Sequence, residues 1–339
     1  MSKITYLFGA GASFGAVPVV EQIPKSLREF SNIISNAQYL LSDLEKYDGN
    51  SKPTKREVQK SFKDDIDWLE KESGKHSSID TFAKKLLVTQ KHQAYKKLKC
   101  ILSLFFIYEQ AKNSTNPRYD SFIASIISNS GRMSPRIRVI SWNYDYQFEK
   151  AYCDYSGKDD IFSNQNLLNV IPKEINLLSK ADDEDSFSIF KINGTTGFKT
   201  IDKIQNPIDN LKQKIKRDFI DSLVRTYFYS TNFDGYLTPT LSFAWEKEEL
   251  NEKTKGAILT STKDTIALVI IGYSMPVFNR EIDREIIGNM SDLKTVYFQA
   301  PGDVPKQYKS RFKAIRSDIS DSNLIEVNDV EQFFMPNEL

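Results

Sequence analysis

Closely spaced glycines near the start of the chain are the first residues that could do chemistry. They lie in Gly9-Ala10-Gly11-Ala12-Ser13-Phe14-Gly15, directly after the apolar run Ile4–Phe8. A strand that leads through small residues into a helix favours diphosphate binding, because the backbone can approach the ligand and helix N–H groups face it. The spacing is one residue longer than the dinucleotide fingerprint. The fingerprint also requires a second strand with an Asp or Glu about 20 residues further on, which bonds the ribose, and this chain has none. A simple tight turn is the alternative interpretation.

A second polar group, Trp142-Asn143-Tyr144-Asp145, follows the apolar run Val139–Ser141. In open α/β sheets ligands bind at the carboxyl ends of the strands. Asn143 offers a donor and an acceptor that suit ribose hydroxyls or an attacking water. Asp145 could orient groups or accept a proton, but capping of a helix that begins near Tyr146 is the favoured interpretation.

Two later segments also place small and polar residues behind apolar runs. They are Lys191-Ile192-Asn193-Gly194-Thr195 and Ile271-Gly272-Tyr273-Ser274-Met275-Pro276. Asn-Gly is a strong turn signal, so a turn alone also accounts for Asn193 and Gly194.

In their order along the chain, these segments resemble the motifs of the Sir2 (sirtuin-like) superfamily. The resemblance spans residues 4 to about 300. Gly9–Ser13 with Pro18 is similar to the GAGxS…P opening, and Trp142–Asp145 to the T/W-N-Y-D motif. The remaining matches are Lys191–Thr195 with the Lys-x-His-Gly-Ser motif, Gly272–Met275 with the late G-Y-S-L/M motif, and Ser78–Phe82 with a helix signature of bacterial Sir2-like members.

The resemblance implies a site for NAD, as substrate and without a metal. Asn143, Asn193 and Asp145 would form its catalytic group, with Asn143 holding ribose or water. Ser274 would contact a phosphate or the adenosine ribose, and Gln299 and Asp303 would border the adenosine half. The residues that the resemblance places around the nucleotide are Gly9, Ala10, Gly11, Ala12, Ser13, Pro18, Gly194, Gly272 and Ser274.

The cysteine count indicates which branch of the superfamily the chain resembles. The chain has only Cys100 and Cys153, so it cannot form the four-cysteine zinc ribbon of deacetylase sirtuins. It looks more like the bacterial Sir2-like proteins that hydrolyse NAD in antiphage defence, where NAD depletion stops phage production by abortive infection. That likeness implies a homo-oligomer and a sensor partner such as a HerA-type ATPase.

The chain departs from the family at one residue, because Asn193 stands where the family has a catalytic histidine. An amide cannot act as a base near neutral pH, although it can hydrogen-bond a ribose hydroxyl. Three explanations stay open: Asn193 serves in an active enzyme, the protein binds NAD or ADP-ribose with little or no turnover, or Asn193 is an inactivating substitution. The two histidines, His76 and His92, lie in polar helical stretches, where a solvated surface role is expected.

Composition limits the other functions. The 339 residues include 46 basic and 45 acidic side chains, a net charge of +1, which argues against direct nucleic-acid binding. Two cysteines and two histidines exclude a disulfide framework and a histidine-rich metal site. Glycines and Pro18 interrupt the apolar start of the chain, which is unlike a signal peptide or a membrane helix, so we expect a cytoplasmic protein.

Apolar runs and helical periodicity predict the elements that position these residues. The predicted strands are Ile4–Phe8, Arg138–Trp142, Phe187–Ile192, Ile266–Gly272, Thr295–Gln299 and Leu324–Val327. The predicted helices are Leu27–Leu44, Lys55–Glu72, Ile79–Leu87 (with Ser77 and Asp80 as a capping box), Lys96–Tyr108 and Tyr119–Ser128. Asp182–Asp185 is predicted to be an acidic loop.

This alternation predicts an α/β fold: a Rossmann-like parallel sheet with helices on both faces and a mostly helical insertion after the first strand. We expect a single Sir2-like domain over residues 1–339. Residues 1–30 and 136–339 would form the Rossmann-like core, and residues 31–135 the helical insertion.

Overall fold

The structure, a computed structural model, describes residues 3–49, 53–173, 186–200, 204–205, 211–212, 214–243, 245–246 and 249–339. In these residues the strands are β1 (Lys3–Phe8), β2 (Ile137–Ser141), β3 (Val170–Ile171), β4 (Ser188–Lys191), β5 (Phe198–Lys199), β6 (Ile204–Gln205), β7 (Thr238–Pro239), β8 (Thr265–Ile271), β9 (Thr295–Gln299) and β10 (Leu324–Val327). The helices are α1 (Ile23–Ile34), α2 (Lys55–Ser73), α3 (Ile79–Val88), α4 (His92–Lys112), α5 (Pro117–Ile126), α6 (Gln147–Ser156), α7 (Ile161–Leu167), α8 (Arg217–Asn232), α9 (Glu249–Thr262), α10 (Arg280–Gly288) and α11 (Val304–Lys313).

The chain divides into two compact units. The first contains Met1–Phe14, Thr115–Thr195 and Phe243–Leu339, and the second contains Gly15–Ser114 and Thr196–Ser242. The first unit holds a seven-stranded sheet in the order β10-β9-β8-β1-β2-β4-β3, and every neighbouring pair is parallel. The predicted α/β fold with a Rossmann-like parallel sheet is therefore confirmed.

The central strand β1 is buried along its whole length, which is typical of a parallel sheet covered on both faces. Its alternate side chains enter two different cores. Tyr6 and Phe8 pack with Phe122 of α5 and Phe148 of α6 on one face. Leu7 belongs to the core of the other face, to which α9, α10 and α11 contribute Ile258, Ile286, Ile287, Tyr308 and Phe312. Helices on both faces of the sheet are thus confirmed as well.

The order of the strands defines where a ligand crevice belongs. From β1 the chain builds outwards through β2 to β4 and β3, and it then returns to place β8 on the other side of β1. In doubly wound sheets the crevice lies at such a reversal, outside the carboxyl ends of the strands. For this sheet that point lies between the ends of β1 and β8.

The second unit consists of α1, α2, α3, α4 and α8 with a small antiparallel sheet, β6-β5-β7. Helix α4 is buried on most sides, and aromatic side chains join its neighbours. The rings of Phe30 and Tyr108 stack with centroids 4.7 Å apart, and those of Phe62 and Tyr227 stack at 4.6 Å.

Six predicted strands and four predicted helices are present within a few residues of their predicted bounds. Leu27–Leu44 is wrong at its end, because α1 stops at Ile34. The Ser35 hydroxyl then bonds a helix carbonyl, and the Asn36 side chain caps a separate 3₁₀ turn. The predicted cap of α3 is also wrong, since Ser78, not Ser77, accepts from the Thr81 amide.

The acidic loop expected at Asp182–Asp185 lies outside the described residues. Among the residues that the structure does describe, no helix has both the length and the apolar character needed to cross a bilayer.

Candidate active site

The segment after β1 is the glycine turn, by which we mean Gly9–Phe14. The glycine turn contains a four-residue 3₁₀ turn, Ala10–Ser13, and the first α-helix begins only at Ile23. A 3₁₀ turn this short lacks the aligned peptide dipoles of a long helix, so any anion here would depend on individual backbone groups. Ala10 is exposed and Ser13 is buried.

The glycines of this turn pack against the end of β8. The amide of Gly9 donates to the Ile271 carbonyl at 3.0 Å, and that of Gly11 donates to the Gly272 carbonyl, also at 3.0 Å. A Cβ on Gly9 would lie 2.5 Å from Tyr273 Cα, and one on Gly11 would lie 2.9 Å from Gly272 Cα. Gly272 meets backbone atoms of Gly11 and Ala12 in the same way and has a positive φ of 59°. Glycine is therefore needed here for contact between two loops of the protein itself.

Asn143 stands beyond β2, 8% exposed, and its amide orientation is defined by its partners. The Nδ2 group donates to the Gly9 carbonyl at 3.0 Å and to Ser13 Oγ at 3.2 Å. A carbonyl can only accept, so the nitrogen must face Gly9. Both amide hydrogens are therefore engaged by the protein itself.

Asp145 lies behind this contact and does not face solvent. Its Oδ2 accepts from Ser13 Oγ at 2.7 Å, and Ser13 Oγ also bonds the Tyr119 hydroxyl at 2.8 Å. Asp145 Oδ1 accepts from the Gln147 amide at 3.2 Å, as a helix cap does. Burial raises the pKa of the Asp145 carboxyl, and the Lys191 ammonium and the Ser13 hydroxyl oppose that rise.

A buried ion pair, Lys191 with Glu149, contacts the Asn143–Asp145 loop. Lys191 and Glu149 are 1% and 0% exposed, and Lys191 Nζ lies 3.0 Å from Glu149 Oε1. The same ammonium donates to the main-chain carbonyl of Asp145. Lys191, which sequence reasoning treated only as part of a motif, thus ties β4 to the Asn143–Asp145 loop.

Asn193 follows β4 in a turn, and Gly194 continues that turn with φ 68°. Asn193 Nδ2 donates to the Trp142 carbonyl at 2.9 Å, so Asn193 Oδ1 points away from that carbonyl. Oδ1 is buried and has no hydrogen-bond partner among the described residues. Such an acceptor costs about 1–3 kcal/mol when it is left unsatisfied.

The segment after β8 carries a strained residue and a buried acid. Met275 has φ 47°, which is unusual for a residue with a side chain, while Ser274 is exposed and its carbonyl accepts from Arg311. The Tyr273 ring stacks on Trp142 at 5.3 Å, and its hydroxyl donates to Asp283 at 2.9 Å. Burial raises the pKa of Asp283 to about 7.

The structure brings most of the predicted site residues together at one sheet edge. The ends of β1, β2, β4 and β8 are adjacent, and they carry Gly9–Ser13, Asn143, Asp145, Asn193, Gly194, Gly272 and Ser274. Pro18 belongs to the second unit. Gln299 uses its side-chain amide on carbonyl groups near the C-terminus, and Asp303 is exposed and paired with Lys306.

Sequence reasoning missed Asn116 and Arg118. Arg118 Nη2 donates to the carbonyls of Gly11 and Ala12 at 3.1 and 2.7 Å, and Asn116 Nδ2 donates to the Phe14 carbonyl at 2.9 Å. The Asn-Pro pair that starts α5 signals a helix cap, but no local pattern indicates these long-range bonds.

The described residues contain no cluster of three or more His, Cys, Asp or Glu side chains that could hold a metal. His92 is exposed, and the ring of His76 stacks on Phe82 in the second unit.

Comparison with known proteins finds similarity among solved structures only. No protein-family model and no curated protein matches the chain. One similar structure is Sir2Tm bound to a propionylated peptide, at 11% identity, covering 96% of this chain and 87% of that chain, with a TM-score of 0.40. Another is described as the structural basis of sirtuin substrate affinity, at 11% identity, covering 96% of this chain and 88% of that chain, with a TM-score of 0.41.

Proposed function

We propose that this protein binds NAD at the carboxyl edge of its parallel sheet and hydrolyses it to nicotinamide and ADP-ribose. One observation carries the proposal. Two neighbouring strands, β2 and β4, each lead into an asparagine whose NH₂ group is bound to backbone, and the buried Oδ1 of Asn193 has no partner among the described residues. The order of the sequence motifs adds independent support.

The two amides suit a ribose. Asn193 Oδ1 is a buried acceptor that needs a donor, and a ribose hydroxyl is a compact donor. Asn143 and Asn193 are linked through the Trp142–Asn143 peptide, because Asn193 bonds the Trp142 carbonyl. The two side chains thus lie beyond neighbouring strands, and Asn193 Oδ1 can receive a hydroxyl hydrogen from a sugar bound there.

The glycine turn fits the remainder of the nucleotide. It lies at the reversal point of the sheet, where doubly wound folds bind ligands. The exposed Ala10 offers backbone to a diphosphate, while Ser274 offers an exposed hydroxyl beyond β8. A contact of Gly194 with the nucleotide belongs to the same proposal.

The chemistry asks little of a general acid. The bond between ribose C1′ and the nicotinamide nitrogen breaks, and its electron pair neutralises the pyridinium charge. Water then bonds to C1′ and releases a proton to solvent. The residues of this site would orient the ribose and the water, and their amide oxygens would face the positive charge that develops at the sugar.

A second function is favoured by Asn193 itself. The site contains two amides where a general base would be expected, and a base typically contributes a factor of about 10²–10⁴ to the rate. The alternative is a subunit that binds NAD or ADP-ribose with little or no turnover and reports it to a larger assembly.

Nicotinamide release from NAD distinguishes the two functions. We expect release by the purified protein, alone or with its genomic neighbours, and its loss in Asn143→Ala. Asn289→Ala is the matched control, because this asparagine also bonds a backbone carbonyl but precedes β9, at the opposite edge of the sheet. ADP-ribose binding without release, together with an active Asn193→His variant, would refute catalysis by this sequence.

We further propose that the protein works in the cytoplasm as an effector of antiphage defence, as a homo-oligomer with a HerA-type ATPase or another sensor as partner. Cells that express it should lose NAD on phage infection and release fewer phage. Unchanged NAD levels in cells that nevertheless resist phage would refute NAD depletion as the mechanism.

A further inference from the structure

The C-terminal tail, residues 328–339, follows β10 and packs into the core of the first unit. Phe333 is 4% exposed, and its ring meets those of Phe8 and Tyr119 edge-on at 5.0 Å. Gln299, at the end of β9, donates to the carbonyls of Asp329 and Gln332 at 2.6 Å each and accepts from the Phe334 amide at 3.1 Å. The tail therefore contacts the last residues of β1 and β9, at the carboxyl ends of the strands.

Arg118 contacts both this tail and the glycine turn. Its Nη2 donates to the carbonyls of Gly11 and Ala12, and its Nη1 donates to the Val330 carbonyl at 3.4 Å. The guanidinium also lies over the Phe333 ring, 5.0 Å from its centroid. The planar fork of arginine can make these contacts together, whereas the single ammonium of lysine cannot.

Asn116 completes the arrangement. Its Oδ1 accepts from the Arg118 amide at 3.0 Å and from Arg118 Nε at 3.3 Å. Its Nδ2 donates to the Phe14 carbonyl. Two side chains from the start of α5 thus bind three carbonyl oxygens of the glycine turn.

Holding these carbonyls determines how the turn presents its backbone. In a trans peptide the C=O and the N–H point in opposite directions, so a fixed carbonyl also fixes the amide that follows it. We propose that Arg118 is a positioning residue, which holds the glycine turn in one conformation and couples it to the C-terminal tail without touching substrate. The effect on ligand binding rests on the proposed function, whereas the effect on the turn does not.

Amide hydrogen exchange tests the turn directly. The amides of Gly11, Ala12 and Phe14 are hydrogen-bonded, and their exchange reports opening of the turn. We expect Arg118→Ala to accelerate their exchange about ten-fold or more, because bonds to a charged group are lost. Arg118→Lys keeps the cation but not the fork, so it should show most of the same effect even if the alanine variant folds poorly.

Arg136 provides the matched control. It binds the far end of the same tail, donating to the carbonyls of Glu338 and Leu339 at 2.5 Å, and it directly precedes β2, whereas the glycine turn follows the other end of β1. Arg136→Ala should leave exchange in the turn within two-fold of the unaltered protein. Equal exchange in the turn for Arg118→Lys and Arg136→Ala would overturn the proposal.

Calorimetry with ADP-ribose tests whether the conformation of the glycine turn affects ligand binding. We expect Arg118→Lys to weaken ADP-ribose binding about ten-fold and Arg136→Ala to leave it unchanged. Faster exchange with undiminished affinity would overturn the coupling to ligand. If the unaltered protein binds no ADP-ribose, the proposed function fails, and exchange in the turn still decides the role of Arg118.

Discussion

Replacing Gly11 with alanine separates the two reasons why a glycine can stand in this turn. One reason is space for a ligand, and the other is contact with the protein itself. The added Cβ would lie 2.9 Å from Gly272 Cα and 3.1 Å from the Gly272 carbonyl oxygen. Both are backbone atoms, so no flexible side chain can move aside. We therefore expect Gly11→Ala to destabilise the protein with or without nucleotide.

The expected magnitude follows from the cost of overpacking, about 1–3 kcal/mol for an added carbon in a filled space. For a cooperative unit of about 150–250 residues, each kcal/mol lowers the melting temperature by about 2–4 °C. Gly11→Ala should thus melt several degrees below the unaltered protein in the absence of ligand.

Gly256→Ala is the matched control for this melt. Gly256 is exposed in α9, and a Cβ there would meet nothing within 4 Å. Alanine in a helix interior is favoured over glycine by about 1 kcal/mol, so this variant should melt at the same or a higher temperature. A Gly11→Ala protein that melts normally but has lost ADP-ribose binding would refute the packing argument and assign this face of Gly11 to the ligand.

Two further predictions concern buried charges in the same unit. Lys191→Met leaves Glu149 buried without its cation, so urea unfolding should show a free energy of unfolding lower by about 3–5 kcal/mol. Adding Glu149→Leu should recover most of that loss. A loss below about 1 kcal/mol in the single variant would contradict the pairing. Burial raises the pKa of Asp283 to about 7, so between about pH 4 and 7 the native state keeps a proton that the unfolded chain has lost. This contribution to stability is complete below about pH 4 and disappears as the pH rises through 7. Asp283→Asn should remove that decline in melts from pH 5 to 8, and an unchanged decline would assign it to other groups.

The strand ends were predictable from sequence because their signals are local. Apolar runs such as Val139–Ser141 end in polar residues, and a parallel sheet brings all such ends to one edge. Contacts across the chain were not predictable. Arg118 and Gly11 are 107 residues apart, and nothing near either of them indicates the other. Likewise, the spacing of the glycines indicated that another group packs closely against their backbone. Only the fold shows that this group is the backbone of Gly272.

The pH dependence of cleavage is the sharpest test of a site built on two amides. Neither Asn143 nor Asn193 titrates near neutral pH, so their part in the reaction should be independent of pH between about 6 and 8. Asn193→His would introduce a group with an ordinary pKa of about 6.5, whose neutral form alone can accept a proton. Its rate of nicotinamide release should therefore rise with pH through that range and exceed that of the unaltered protein above it. If the rate of the unaltered protein already rises between about pH 6 and 8, a base other than these two residues titrates in the reaction. The two asparagines would then only bind the ribose.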